Sequence, residues 1–395
     1  MQEKINHAKQ HWQAFCQSLE KTGCTALDNL HIETELDLAE GVRYLSRIAR
    51  LALESELENK DSSHPYFQRS LGPTLKMGGD NPCGLYLAAP INGVDTFKIS
   101  GSRGTARWLS FFAQRSYDAL REGLTVFGDC LFSSNLQCDD NDQFEIIISP
   151  NEQKGNWIKT DKYCSLMLIR QFFSHDKTIE AMDLRIENLT KGHQAKALLT
   201  LDEVNKRLDA SGAFFEMMVP IMQREMVEQG DRLNTFETDI GNPTSDTGGV
   251  PGGNGVTARW ELAADEALII TAKAPTPCPY WDIQVGNGWY ESWDYRHYIS
   301  GLGCEDAVYN SDDSFTLVLS EQDPGTVNWL EAAGHSEGHI AVRWQLTEGQ
   351  LPLPQCQLVK LSEVKALTGL AVIDTEERSK QKQQYREAVE QRFRL

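Results

Sequence analysis

The feature that most narrows what this chain can fold into is an internal repeat. The run D-D-N-D-Q-F-E-I-I-I-S-P (139–150) is followed by Asn156-Trp157-Ile158 and then by L-M-L-I-Arg170, while N-S-D-D-S-F-T-L-V-L-S-E (310–321) is followed by Asn328-Trp329-Leu330 and then by H-I-A-V-Arg343. Phe144 and Phe315 stand 171 positions apart, Trp157 and Trp329 172, and Arg170 and Arg343 173, so the register drifts by only two residues. The chain therefore carries two copies of one unit. Each copy alternates apolar and polar residues in short runs broken by Gly, Asn and Asp, which predicts antiparallel strands.

A length of 395 residues allows two such units with helical additions, and 40% hydrophobic against 24% charged residues is the balance of a chain that buries a core. The fold class expected is mainly β with helical additions (α+β): two related antiparallel β-sandwich or jelly-roll-like units, N-terminal helices, an inter-domain helix and a C-terminal helix. Residues 1–77 form the N-terminal helical segment, in which Asp37 and Glu40 have the spacing of a capping box and Val42, Leu45, Ile48, Ala49, Ala52, Leu53 and Leu57 recur at helical intervals. The first β unit spans 78–190. Residues 191–255 follow as a helical linker, interrupted by Pro220, and a Gly/Pro-rich connector, GNPTSDTGGVPGGNG (241–255). The second β unit covers 256–365, and 366–395 is a charged helix that caps the fold.

With 38 Lys and Arg against 57 Asp and Glu, the net charge of −19 repels a phosphate backbone or an anionic lipid surface, so neither nucleic acid nor membrane is an expected partner. The first residues lack an apolar signal core, no run reaches the roughly 18 apolar residues of a membrane span, and the nine cysteines include no C-x-x-C. A cytoplasmic protein with reduced thiols follows. The expected partner is a small-molecule ligand, with self-association left open.

Features common to both copies are explained by the fold they share, whereas features of one copy are free to be functional. Asn-Trp and the strand arginine lean structural on that reasoning. The second copy alone contains YWDIQVGNGWYESWDYRHY (280–298), with seven aromatics in nineteen residues. Trp281, Trp289, Tyr290 and Tyr295 beside Asn287, Asp294 and Arg296 supply flat faces next to bidentate polar groups, which suits a ligand with hydroxyls or a carboxylate. The competing reading makes these aromatics core residues of one strand and its hairpin partner. Also peculiar to this copy are Asp323-Pro324-Gly325 and Gly334-His335-Ser336-Glu337-Gly338-His339. His335 can act as acid or base, Asp323 can orient it, and Arg343 or Arg296 can hold an anion. D-P-G is also an ordinary turn. His335, Glu337 and His339 match no metal-site spacing, and no phosphate loop, Walker lysine or nucleophile elbow is present, so neither metal nor cofactor is expected.

The order DNPCGLY (80–86), INGVDTFKISGSRGT (91–105), GNWI and LIRQFF (155–173), QVGNGWYESWDYR (284–296) and DPGTVNWLEAAGHSEGHIAVRW (323–344) resembles bacterial proteins carrying the domain of unknown function 1214. The resemblance covers most of the chain and implies paired jelly-roll-like β-sandwiches with helical additions. Its motif positions here are Asn81, Tyr86, Trp289, Tyr295, Arg296, Asp323, Trp329, His335 and Arg343; Cys83 and His339 depart from the pattern. The function expected from the residues is a metal-independent hydrolase or lyase acting on a small polyhydroxylated or anionic ligand. A non-catalytic carbohydrate- or metabolite-binding protein and a structural subunit are the alternatives.

Overall fold

Alternation of apolar and polar positions makes the strands, and the repeat makes them twice. A computed structural model describes residues 1–29, 32, 34–175, 178–192, 194–228, 233–236, 253–347 and 351–394. In the first unit, β1 (Gln68–Leu71), β2 (Gly84–Pro90), β8 (Cys164–Phe172), β4 (Trp108–Arg115) and β5 (Phe127–Phe132) form one sheet in that order. The facing sheet runs β7 (Trp157–Lys159), β6 (Gln143–Ser149), β3 (Phe97–Ser102) and β9 (Asp183–Asn188). In the second unit the orders are β10 (Gly253–Glu261), β16 (Glu337–Gln345), β12 (Tyr280–Gly286), β13 (Gly301–Gly303) and β15 (Trp329–Glu331), β14 (Phe315–Ser320), β11 (Glu266–Ala272), β17 (Gln355–Lys360). Strand for strand, β2-β8-β4-β5 repeats as β10-β16-β12-β13 and β7-β6-β3-β9 as β15-β14-β11-β17.

The equivalence reaches single hydrogen bonds. Asn156 Nδ2 donates to the Gln137 and Glu145 carbonyls, and its Oδ1 accepts from Gln137 N; Asn328 does the same with Val308 and Thr316. Both Trp157 and Trp329 donate Nε1–H to the carbonyl at the end of the preceding strand, Ser149 or Ser320. The residues assigned to the shared fold thus hold the same corner in each copy. That corner includes one departure from the all-antiparallel expectation, since β6/β7 and β14/β15 pair in parallel.

Register sorts the second unit's sheet into two faces. Directly opposed residues share a face, so Trp281 with Trp344, Ile283 with Val342 and Val285 with Ile340 look into the apolar core. The other face carries Tyr280 with Gln345, Asp282 with Arg343 and Gly286 with His339, a polar row that is nevertheless buried apart from the partly exposed Arg343. The elements packed over it make the site.

Among those elements are α1 (Gln2–Asn29), α2 (Glu35–Ala52) and α3 (Leu201–Glu228), which meet through Ala26, Tyr44, Ile48, Phe215, Met218 and Met222. The capping box lies one turn earlier than Asp37–Glu40: Thr34 is the cap, its hydroxyl accepts from Asp37 N, and Asp37 answers to Thr34 N. Glu40 is thereby a mid-helix side chain free to point elsewhere. Helix α3 continues through Pro220 because Val219 and Met222 on either side are buried against the other helices. The first sheet also begins ahead of residue 78, at Gln68. Residues 241–252 of the Gly/Pro-rich connector lie outside the described residues, and 253–255 open β10. The C-terminal helix, Thr375–Phe393, is capped by Asp374 and Glu377 and lies against both units, with Arg392 on the Pro82 carbonyl and Lys382 on Glu331.

Candidate functional site

Strand β12 leaves the sheet at Gly286 into a loop that Asn287 ties to itself. Its Oδ1 accepts from the backbone of Trp289 and Glu291, and its own N–H donates to the Glu291 carbonyl. Tyr290 takes a left-handed φ of 58° to close the turn. A Cβ on Gly286 would stand 2.2 Å from the His339 ring and 2.3 Å from the Glu291 carbonyl, so only glycine allows this loop to press onto β16.

The aromatics are wall, not platform. Six of the seven in 280–298 are buried, and Tyr298 alone is open, at 40%. Trp281 faces the core, stacked on Phe315 with ring centres 3.9 Å apart, which removes it from any ligand surface. Trp289 lies on α2 at Gly41 and donates to the Asp37 carbonyl, 2.8 Å away. Tyr290 packs on the His339 ring and over Gly79, and Tyr295 carries the Lys76 ammonium 3.9 Å from its ring centre.

The predicted acid–base pair does not form. His335 is held from both sides: Nδ1 donates to the Ala332 carbonyl at 3.0 Å and Nε2 to Glu40 Oε2 at 2.9 Å, with Trp293 stacked on the ring. Burial pushes the imidazole down, but the bond and charge of Glu40 overcome it and hold the pKa above the ordinary value. Burial likewise opposes Glu40's ionisation, yet His335, Asn287 Nδ2 at 2.6 Å and Arg43 keep that carboxyl below the usual range. An imidazolium with both N–H groups given to acceptors has no lone pair for a substrate proton. Asp323 sits elsewhere, accepting from Gly325 N in its turn and from Arg378 of the C-terminal helix at 2.9 and 3.1 Å. The D-P-G segment is a turn and a helix anchor.

The arginines expected to hold an anion are also engaged within the protein. Arg343 donates to Asp282, Gln284 Oε1 and the Gly79 carbonyl, and Arg296 grips Asp294 with two nitrogens at 2.9 and 2.6 Å. Glu337 pairs with Arg259, His339 Nδ1 donates to the Asn287 carbonyl, and no group of three or more His, Cys, Asp or Glu side chains among the described residues could hold a metal.

What the structure does assemble is a sealed polar cluster that sequence reading missed. Lys76 Nζ, wholly buried, reaches Asp80, Ser292 Oγ and the Trp293 carbonyl; Asp80 accepts from Ser292; Arg47 of α2 donates to Glu291 at 2.6 Å. Burial drives the Glu291 carboxyl up to about 8 despite Arg47, with Asp80's charge adding to the rise. It drives His339 down to about 4 and Lys76 below the ordinary ammonium value. Glu291 Oε1, His339 Nε2 and Trp293 Nε1 are buried with no hydrogen-bond partner among the described residues. Arg47 and Lys76 gave no sequence signal, since each reads as an ordinary charge on a helix or in a turn. Glu291 had one: a carboxylate inside an aromatic run.

A protein from Burkholderia cenocepacia described as uncharacterized, known from its crystal structure, is 31% identical to this chain with a TM-score of 0.83, over 89% of this chain and 97% of that one. The chain belongs to that protein's family. The family fold is thus mainly β with helical additions, in two similar units. The crystal structure of the VPA0106 protein from Vibrio parahaemolyticus is also similar, at 11% identity and a TM-score of 0.48, over 80% of this chain and 97% of that one. No family model and no curated protein matches the chain.

Proposed function

We propose that the second unit is a metal-independent acid–base enzyme, a hydrolase or lyase of the cytoplasm, acting on a small polyhydroxylated or anionic ligand, and that Glu291 is its acid. The observation that carries this is a carboxyl with a pKa near 8, fully buried, one oxygen held by Arg47 and the other without a partner among the described residues. Such a group keeps its proton at neutral pH and can deliver it, which a surface carboxylate cannot. Strongly shifted titratable groups gathered in one place are a mark of functional sites. Arg47 and Lys76 are engaged by Glu291 and Asp80 and hold the acid in place, and His335–Glu40 positions the loop rather than moving protons. The motif strings support placing the family among proteins carrying the domain of unknown function 1214.

The test is product analysis by mass spectrometry after incubating the protein with panels of sugars, hydroxy acids and aromatic acids. Turnover that disappears in Glu291→Gln while the fold persists supports the assignment; turnover that survives the substitution ends it. A structural role for 280–298 is favoured by one observation, the burial of six of its aromatics. On that reading no member of the panels is consumed or raises the thermal midpoint.

A further inference from the structure

Far along the chain from that cluster, two histidines of α1 face two polar residues of α3. His7 and His11 are four apart on one helical face, and Asn205 and Asp209, also four apart, meet them. Asp209 accepts from His11 Nδ1 at 2.7 and 2.9 Å, and Asn205 Nδ2 lies 3.5 Å from His7 Nδ1. With each Nδ1 attended by α3, the two Nε2 atoms are left facing each other 3.1 Å apart. The rings stand nearly perpendicular, at 87°, and His7 is solvent-exposed.

We propose that His7 and His11 form a divalent transition-metal site, chelating one ion through their two Nε2 atoms. An ion about 2.1 Å from each nitrogen subtends a near-right angle across a gap of this size, an ordinary coordination angle. Asp209 is the carboxylate that orients a ligating imidazole and strengthens it as a donor. Without metal the protons are complete: Asn205 donates to His7, His7 Nε2–H to His11, and His11 Nδ1–H to Asp209. Binding moves the His7 proton from Nε2 to Nδ1, where the Asn205 amide accepts it after turning over, so the ion enters with no net proton released from neutral rings. Among the described residues no third His, Cys, Asp or Glu side chain converges on the point, and water completes the shell. Imidazole nitrogens and the general affinity order favour Cu2+ and Ni2+ over Mg2+ or Ca2+.

The experiment is titration of the full-length protein with Cu2+, read by electron paramagnetic resonance. Splitting from two nitrogens is expected at one equivalent, falling to one nitrogen in His7→Ala and in His11→Ala, with Asp209→Asn weakening binding roughly tenfold. Circular dichroism establishes that the helices persist in each variant. A two-nitrogen signal that both histidine substitutions leave unchanged, a sulfur-ligated spectrum from the cysteines, or no one-equivalent binding overturns the proposal.

Discussion

Two imidazoles four positions apart, His335 and His339, are driven in opposite directions by their neighbours. A carboxylate at 2.9 Å raises the pKa of the first; burial, with Arg343's charge adding to it, neutralises the second, whose pKa falls to about 4. Between pH 6.5 and 4 the unfolded chain takes up a proton at His339 that the folded protein refuses. Stability is therefore lost as pH falls through that window, by up to about 1.4 kcal/mol per pH unit. His339→Gln removes this dependence, so its denaturant midpoint should fall less than the wild type's over the same range; parallel falls would show that His339 is not the buried neutral base described here. Glu291 has the reverse sense, keeping its proton up to about 8 and weakening the fold as pH rises from 4.5 towards that value. At this scale the sequence was informative about which residues are unusual and poor on their partners. Glu40 stands 295 positions before His335 and Arg47 244 before Glu291, and no periodicity or spacing rule links such positions. Asp323 and His335 are both peculiar to the second copy, yet the Asp323 carboxylate turns back into its own D-P-G loop and onto Arg378.

Among the elements, α2 has the largest consequence for the site. It brings Glu40 and Arg47 inward and lies on Trp289 at Gly41, where a Cβ would be 2.1 Å from the indole. Gly41→Ala should improve helix propensity by about 1 kcal/mol yet lower the melting temperature, because overpacking against a buried indole costs about 1–3 kcal/mol. The double variant Gly41→Ala/Trp289→Leu should lose less than the sum of the two single losses, and strictly additive losses would show that the two residues do not couple. The helix itself was legible from its apolar spacing. Its start was not, because Asp37 and Glu40 offer the same signature as Thr34 and Asp37, and only the observed bonds choose the earlier pair.

For the whole molecule, duplication was the most reliable thing written in the sequence. Residues that recur at a fixed offset do so because the same local geometry needs them, which is why Asn156 and Asn328 make matching bonds. Asn156→Ala and Asn328→Ala should each cost about 1–3 kcal/mol, since each strands two carbonyls and an amide N–H. Hydrogen exchange should accelerate mainly in the unit that carries the substitution; uniform acceleration across both would mean that the units open only together. The docking of one unit on the other was less visible, because it rests on contacts without any repeat signature. Examples are the Phe172–Tyr280 stack, with ring centres 5.3 Å apart, and Arg392 of the C-terminal helix on Pro82.

The flat contact between Trp293 and His335, with ring centres 4.9 Å apart and planes within 14°, also has an optical consequence. A protonated imidazole against an indole accepts its excited electron and quenches emission, whereas a neutral one does so weakly. Raising the pH until the His335–Glu40 pair loses its proton should therefore brighten Trp293, a rise that Trp293→Phe abolishes and His335→Gln replaces with constant emission. The molecule carries its own lamp for the charge state of the bond that fastens α2 to the second unit.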